Sequence, residues 1–178
     1  VRVYTSAQQA KLAPTKVSYV YQCVGCDTFE CQPVGKAVTK GNSTKFQAGS
    51  GPVVPRECPN CGWHYNMGGP FWTEPIHDME WVDAIKKQVE ENKAMYPGYD
   101  KIHALLTTVS EELVDVPLHY DIHSMSHCLR VTPPPMALFR SAVINAGYRV
   151  SPAHCNPLAV KTDAPAKVLW DILRCWVK

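Results

Sequence analysis

The sequence predicts an α+β fold in two parts, and three observations carry that prediction. Cysteines fall in two Cys-x-x-Cys pairs, Cys23-Val-Gly-Cys26 and Cys58-Pro-Asn-Cys61, with strand-like runs at 17–22 and 28–32 flanking the first. From residue 78 onward apolar residues recur at helical spacing. From about residue 100 the order reads helix, strand, helix, helix and then two extended pieces as a β-wing, which is the order of a winged helix. The expected architecture is a four-cysteine zinc ribbon over 17–76, preceded by a tail and linker over 1–16 and followed by a helical, winged-helix-like lobe over 77–178.

The metal assignment rests on ligand chemistry. A Cys-x-x-Cys turn aims two thiolates at one point, and two such turns supply the four tetrahedral ligands of a structural zinc site. Gly25 permits a left-handed backbone position, and Pro59-Asn60 with Gly62 favours a tight turn. Cys23, Cys26, Cys58 and Cys61 are thus the predicted Zn2+ ligands. A catalytic zinc keeps an open position for water; four cysteines close the shell, so the role is structural. Cys31 and His64 lie near enough in sequence to replace a ligand but are not needed. The other cysteines, Cys128, Cys155 and Cys175, are scattered, and paired Cys-x-x-Cys units in a chain without a secretory signal are read as metal sites before disulfides.

The remaining elements follow from local signals. Residues 36–51, rich in Gly, Ser, Thr and Lys, read as a loop between the knuckles, and Met67-Gly-Gly-Pro-Phe-Trp72 as an ordered loop. Asp78 is a plausible N-cap for a helix with Met79, Val82, Ile85 and Val89 inward. A second helix spans about 100–113 with Ile102, Leu105, Leu106, Val109 and Leu113 as its stripe. Leu118–Tyr120 reads as a strand, and Asp121 caps a helix to about Cys128. Thr132-Pro133 reads as a helix start, with Met136, Phe139 and Val143 on one face and Gly147 as its C-terminal stop. Extended pieces at 148–151 and 158–161 lead to a last helix capped by Asp163, with Val168, Leu169, Ile172, Leu173 and Trp176 inward.

Composition bounds the function. Of 178 residues, 46% are hydrophobic and 19% charged, as in a folded domain. No apolar run approaches the roughly 18–20 residues that span a bilayer, and the start is not a signal peptide. Val1, Val3 and Tyr4 around Arg2 read as a strand entered midway, in a piece of a longer protein. The net charge of +2 is too mild to argue nucleic-acid binding by itself, so phosphate contacts would have to come from local clusters. One such cluster gathers around the two extended pieces: Arg149, His154, Lys161, Thr162 and Lys167. The 132–146 helix offers essentially Arg140 alone, which is thin for reading base edges.

Along the chain stand Gln22-Cys-Val-Gly-Cys26, Cys58-Pro-Asn-Cys61, Gly68-Gly-Pro-Phe-Trp72 with Pro75-Ile-His-Asp78, Gly147-Tyr-Arg-Val-Ser151, Val160-Lys-Thr-Asp-Ala-Pro165, Leu169-Trp-Asp-Ile172 and Arg174-Cys-Trp176. In this order the motifs carry a resemblance to the tRNA (guanine-26-N2) dimethyltransferase family. It implies methyl transfer from S-adenosylmethionine to N2 of a guanine in tRNA, by a two-domain protein of which this would be the C-terminal tRNA-binding domain. Residues 1–5 would be the tail of the catalytic domain's last strand, and that N-terminal methyltransferase domain and tRNA would be the partners. No Gly-rich loop after a strand, and no Asp-Pro-aromatic motif, is present to hold S-adenosylmethionine or the target amine, and 35–41 does not fit a P-loop. The chain alone is therefore expected to be inactive. The implied setting is intracellular, in the nucleus, mitochondrion or cytoplasm.

Lys161 and Arg149 are the first choices for tRNA phosphates, followed by Lys167, Arg140, His154 and Thr162. Lys167 falls in the first turn of the last helix, where amides favour anions. Trp72 and His77 flank a loop whose aromatic could stack on a base or ribose. A zinc-ribbon and winged-helix module that binds DNA, or that docks on proteins, is the competing reading.

Overall fold

The computed structural model describes residues 4–177, which form six α-helices and eight strands among them. The chain divides into two compact units between Glu74 and Pro75. The first three residues of the expected entering strand lie outside the described residues; Tyr4 and Thr5 are exposed and irregular.

The first unit opens with α1 (Ala7–Leu12) and a 3-10 turn (Ala13–Lys16). Its centre is β1 (Val17–Cys23), paired antiparallel with β2 (Phe29–Pro33) on one side and β5 (Tyr65–Trp72) on the other. Residues 68–72 are thus strand, not the ordered loop that their Gly-Gly-Pro content suggested. Pro70 is tolerated because β5 is an edge of the sheet β2-β1-β5, where a missing N–H can face away from the ladder. Gly69 marks the register shift opposite Ser18–Val20. Its φ is +106°, and a Cβ there would lie 3.0 Å from the Ser18 carbonyl oxygen, so both the backbone angle and the close approach require glycine.

The expected loop over 36–51 is instead a hairpin, β3 (Gly35–Lys40) and β4 (Ser43–Ala48). Lys40 pairs with Ser43 across the two-residue turn Gly41-Asn42. Gly41, with φ +56°, supplies the positive φ that hairpin turns demand. That turn signal was present in the sequence and was outweighed by the segment's polar composition.

The second unit begins with α2 (Met79–Glu91), whose first turn is capped as expected: the Asp78 carboxylate accepts from the amides of Glu80 and Trp81. Then come α3 (Tyr99–Glu111), β6 (Tyr120–Asp121) and α4 (Ile122–Cys128), the last capped by Asp121. α5 (Met136–Asn145), β7 (Val150–Ala153), β8 (Asn156–Thr162) and α6 (Ala166–Val177) complete it. The strands form one antiparallel sheet ordered β6-β8-β7. Ile122, Met125, Phe139, Val143, Val160 and Trp170 are almost wholly buried and define this unit's core.

Three local expectations are corrected. α5 starts at Met136 rather than near Thr132, because three successive prolines hold the residues before them out of the helical region. Asp163 does not cap α6; its carboxylate holds Arg149. Ile85, Leu105 and Trp176, assigned inward, are about half exposed. The stop at Gly147 holds: its φ is +89°, its amide donates to the Ile144 carbonyl, and Tyr148 N donates to the Val143 carbonyl, the paired bonds of a Schellman cap.

Candidate functional site

The two Cys-x-x-Cys turns converge. Sγ of Cys23 lies 3.3 Å from that of Cys61, and Sγ of Cys26 lies 3.6 Å from that of Cys58. All four sulfurs fall within 4.8 Å of one another. Tetrahedral metal–sulfur bonds of about 2.3 Å place sulfurs about 3.8 Å apart, inside that spread. The same sulfurs are too far apart for disulfides. Cys23, Cys26 and Cys58 are buried and Cys61 is half-buried; Cys31 and His64 stand outside the set.

The two turns repeat one backbone pattern. Cys23 N donates to Thr28 O and Asp27 N to Cys23 O; Cys58 N donates to Trp63 O and Gly62 N to Cys58 O. In each turn the residue after the second cysteine takes a positive φ, +56° at Asp27 and +78° at Gly62. The left-handed position of the first turn is therefore Asp27, not Gly25. Gly25 is needed for another reason: a Cβ on it would sit 2.5 Å from the Trp63 ring. Burial pushes the Cys26 thiol well up and the Cys61 thiol up to about 11. Burial also opposes ionisation of Cys58, but hydrogen bonding to Tyr65 and the amides of Asn60 and Cys61 brings it down to about 7. Four sulfurs held this close ionise together only with a cation among them.

In the second unit, most residues expected at phosphates are engaged internally. Lys161 on β8 is only 6% exposed, and its ammonium sits on Oε1 of Glu112, the buried residue that ends α3. Oε2 of Glu112 takes the backbone N–H of His154 at 2.9 Å and its ring Nδ1 at 2.7 Å. The His77 ring meets the His154 ring edge to face at 5.0 Å, with its own Nε2 buried and without a hydrogen-bond partner. Burial alone would raise the Glu112 pKa; the Lys161 ammonium and the two His154 donors outweigh it and hold the carboxylate below its ordinary range. His77, Glu112 and His154 are close enough to share a metal ion, but the Lys161 ammonium already neutralises that carboxylate.

Arg149 is equally occupied. Its guanidinium forks onto Asp115 at 2.7 and 3.2 Å and onto Asp163 at 2.7 Å. The Thr162 hydroxyl is buried, donating to the Arg149 carbonyl and accepting from Ala164 N. Lys161, His154 and Arg149 thus tie the β7–β8 hairpin to Glu112 and Asp115, at and just beyond the end of α3, while Thr162 bonds within the hairpin and to the residue that follows Asp163. Lys167 is exposed, Trp72 is 46% exposed with the Lys16 ammonium 5.8 Å from its ring centre, and Arg140 is half-buried. Sequence reasoning missed Glu112 and Asp115, the acids that absorb the hairpin's cations. They stand some forty residues from their partners, and only the fold brings them together.

Residues 1–174 match the family model for N2,N2-dimethylguanosine tRNA methyltransferase. Over its full length the chain is 60% identical to tRNA (guanine(26)-N(2))-dimethyltransferase 1 of Arabidopsis thaliana, covering 30% of that protein. It is 43% identical to the Homo sapiens tRNA (guanine(26)-N(2))-dimethyltransferase, covering 27% of it. The chain therefore spans about a third or less of the length of these relatives. A similar fold occurs in the structure of Trm1 from Pyrococcus horikoshii with S-adenosyl-L-methionine, at a TM-score of 0.67 and 24% identity over 93% of this chain and 37% of that one. The expected placement at the C-terminal end of a longer protein is not borne out by these matches. With a family model matched over nearly the whole chain and relatives of such identity, the chain belongs to the N2,N2-dimethylguanosine tRNA methyltransferase family.

Proposed function

We propose that this chain is a tRNA-holding part of an S-adenosylmethionine-dependent tRNA guanine-26 N2-methyltransferase, with one structural zinc ion in the four-thiol cluster. The observation that carries the reading is the match along the full chain to proteins named for that activity. Methyl transfer is assigned to the longer protein, not to this segment.

The zinc ion would be held by Cys23, Cys26, Cys58 and Cys61. Twin turns with one hydrogen-bond pattern and an all-sulfur donor set support a closed structural site. There the metal would supply cross-linking of the strands that enter and leave the turns. The second unit reads as a winged helix: α3, β6, α4 and α5 in order, then β7 and β8 as the wing, with β8 central in the sheet. α5 would be its recognition helix, and Arg140 is its sole Arg or Lys. That poverty disfavours base reading in a DNA groove and suits contacts to backbone and shape, as RNA helices demand. Lys167, Arg140, Trp72 and His77 stay in this reading as candidate tRNA contacts; Lys161 and Thr162 do not, being buried, and Arg149 is held by two carboxylates.

The test is fluorescence anisotropy with the full chain and a tRNA carrying guanine at position 26, competed by duplex DNA, beside metal analysis. One zinc per chain, and tRNA binding that duplex DNA displaces poorly, are expected. Equal displacement by DNA would favour the DNA-binding alternative. No nucleic-acid binding at low salt would leave a protein-docking module.

A further inference from the structure

One uniformly cationic segment of the first unit is included in none of the predicted contacts. From Cys31 through Arg56 there is no Asp or Glu, while Lys36, Lys40, Lys45 and Arg56 are present. Every residue of β3 and β4 after Gly35 is exposed. The register settles which side each lysine takes. Lys36 pairs with Gln47, Val38 with Lys45, and Lys40 with Ser43. Directly paired residues share a face, and so do alternate residues along a strand. Lys36, Lys40 and Lys45 therefore occupy one face, together with Val38, Ser43 and Gln47. The opposite face carries Ala37, Thr39, Thr44 and Phe46, with the two threonine hydroxyls bonded to each other at 3.1 Å.

Along β3, Lys36 and Lys40 are about 13 Å apart at roughly 3.3 Å per residue, with Lys45 on the neighbouring strand opposite their midpoint. None of the three makes an ion pair among the described residues; Lys36 donates only to the neutral Ser50 hydroxyl. The root of the ribbon is fixed. Val34 N donates to Val17 O and Gly49 N to Val34 O, and Gly35 lies so close to Pro14 that a Cβ would stand 3.1 Å from the proline ring. Three unpaired ammonium groups on one face of an anchored ribbon make a surface for a row of anions. Lysine suits phosphate as a point charge, without base reading.

We propose that the β3–β4 ribbon is a backbone-phosphate contact for tRNA, made by Lys36, Lys40 and Lys45. It rests on the tRNA-holding function proposed above and adds a binding surface to it.

The test compares the full chain with a Lys36→Gln/Lys40→Gln/Lys45→Gln variant in tRNA anisotropy titrations across salt concentration. Losing three phosphate contacts should reduce the slope of log K against log salt by roughly 2.1–2.7, at roughly 0.7–0.9 per contact, and weaken binding at least tenfold at low salt. The corresponding triple arginine variant should keep the wild-type slope. A Lys86→Gln/Lys87→Gln variant of α2 should change the slope by less than one contact. Melting temperature and metal content of the glutamine variant should match wild type, since all three side chains are exposed; Lys40→Glu, next to the turn, reads the same effect independently should the triple variant misfold. Wild-type binding with an unchanged slope in the triple glutamine variant and in Lys40→Glu would overturn the ribbon contact alone. A wild-type chain that binds no tRNA at low salt would overturn the tRNA-holding reading and the ribbon with it.

Discussion

Lys161→Met is the most discriminating single substitution in the second unit. It keeps most of the side-chain volume and removes only the ammonium from Glu112. Lys161 and Glu112 side chains are 7% and 1% exposed, so the carboxylate left behind cannot be rehydrated without opening the β8–α3 contact. Removing one member of a buried ion pair costs about 3–5 kcal/mol. His154 still offers its amide and ring nitrogen to Oε2, which places the expected cost near the lower end, about 3 kcal/mol. That is roughly two decades in the folding constant. Urea unfolding of the full chain, followed by near-ultraviolet circular dichroism of the buried Trp170, measures it. Lys161→Met/Glu112→Gln should recover part of the loss, since the stranded charge is gone. A Lys161→Met chain as stable as wild type within about 0.5 kcal/mol would refute the reasoning. So would a tRNA salt slope lowered by a full contact in the folded variant, because the ammonium would then be serving a phosphate.

The same pair sets a pH dependence. Glu112 titrates below its ordinary 4.5 in the folded chain, so its stabilising contribution is complete above that value and drains away as pH falls through the folded one; the destabilisation by Glu112→Gln should be smaller at pH 3 than at pH 7 in the same urea assay. Gly69→Ala should cost about 1–3 kcal/mol, from its φ of +106° and the Ser18 carbonyl 3.0 Å from the new methyl; a loss under about 0.5 kcal/mol would mean that β5 relaxes there freely. Phe139→Ala removes a wholly buried ring from the second core and should cost about 3–5 kcal/mol by the same measurement. With the zinc proposed above, chelation should abolish the protection of β1 and β5 amides from hydrogen exchange, and protection that survives full treatment with chelator would make the four thiols a self-sufficient core.

Short-range chemistry was legible in the sequence. The cysteine pairs, the Asp78 and Asp121 caps and the Gly147 stop each depend on residues within five positions of one another, and each stands where the local pattern put it. Of the two segments with loop-like composition, 67–72 lies wholly in β5 and 36–51 forms the β3–β4 hairpin as far as Ala48, because pairing overrides composition. Gly69 and Pro70 are poor strand formers, yet an edge position beside β1 asks of them neither a side-chain face nor a second ladder. The start of α5 was misplaced for a local reason that was visible: one proline favours a helix start, whereas a run of three forbids the residues before each from being helical.

The cations expected at tRNA phosphates have partners inside the fold. Arg149, His154 and Lys161 were chosen because they gather in sequence near the wing, and they do gather in space. A folded chain, however, has its own use for buried or converging cations. Glu112, Asp115 and Asp163 supply the counter-charges, Glu112 from the end of α3 and Asp115 from the turn after it, and the cluster fastens a hairpin. A cation left without an internal counter-charge is one with no carboxylate within reach, which the fold decides and the sequence hints at only where acids are missing over a long stretch. Residues 31–56 are such a stretch. Its polar composition hid the strand pairing, and the pairing is what puts Lys36, Lys40 and Lys45 on one face with their charges unspent.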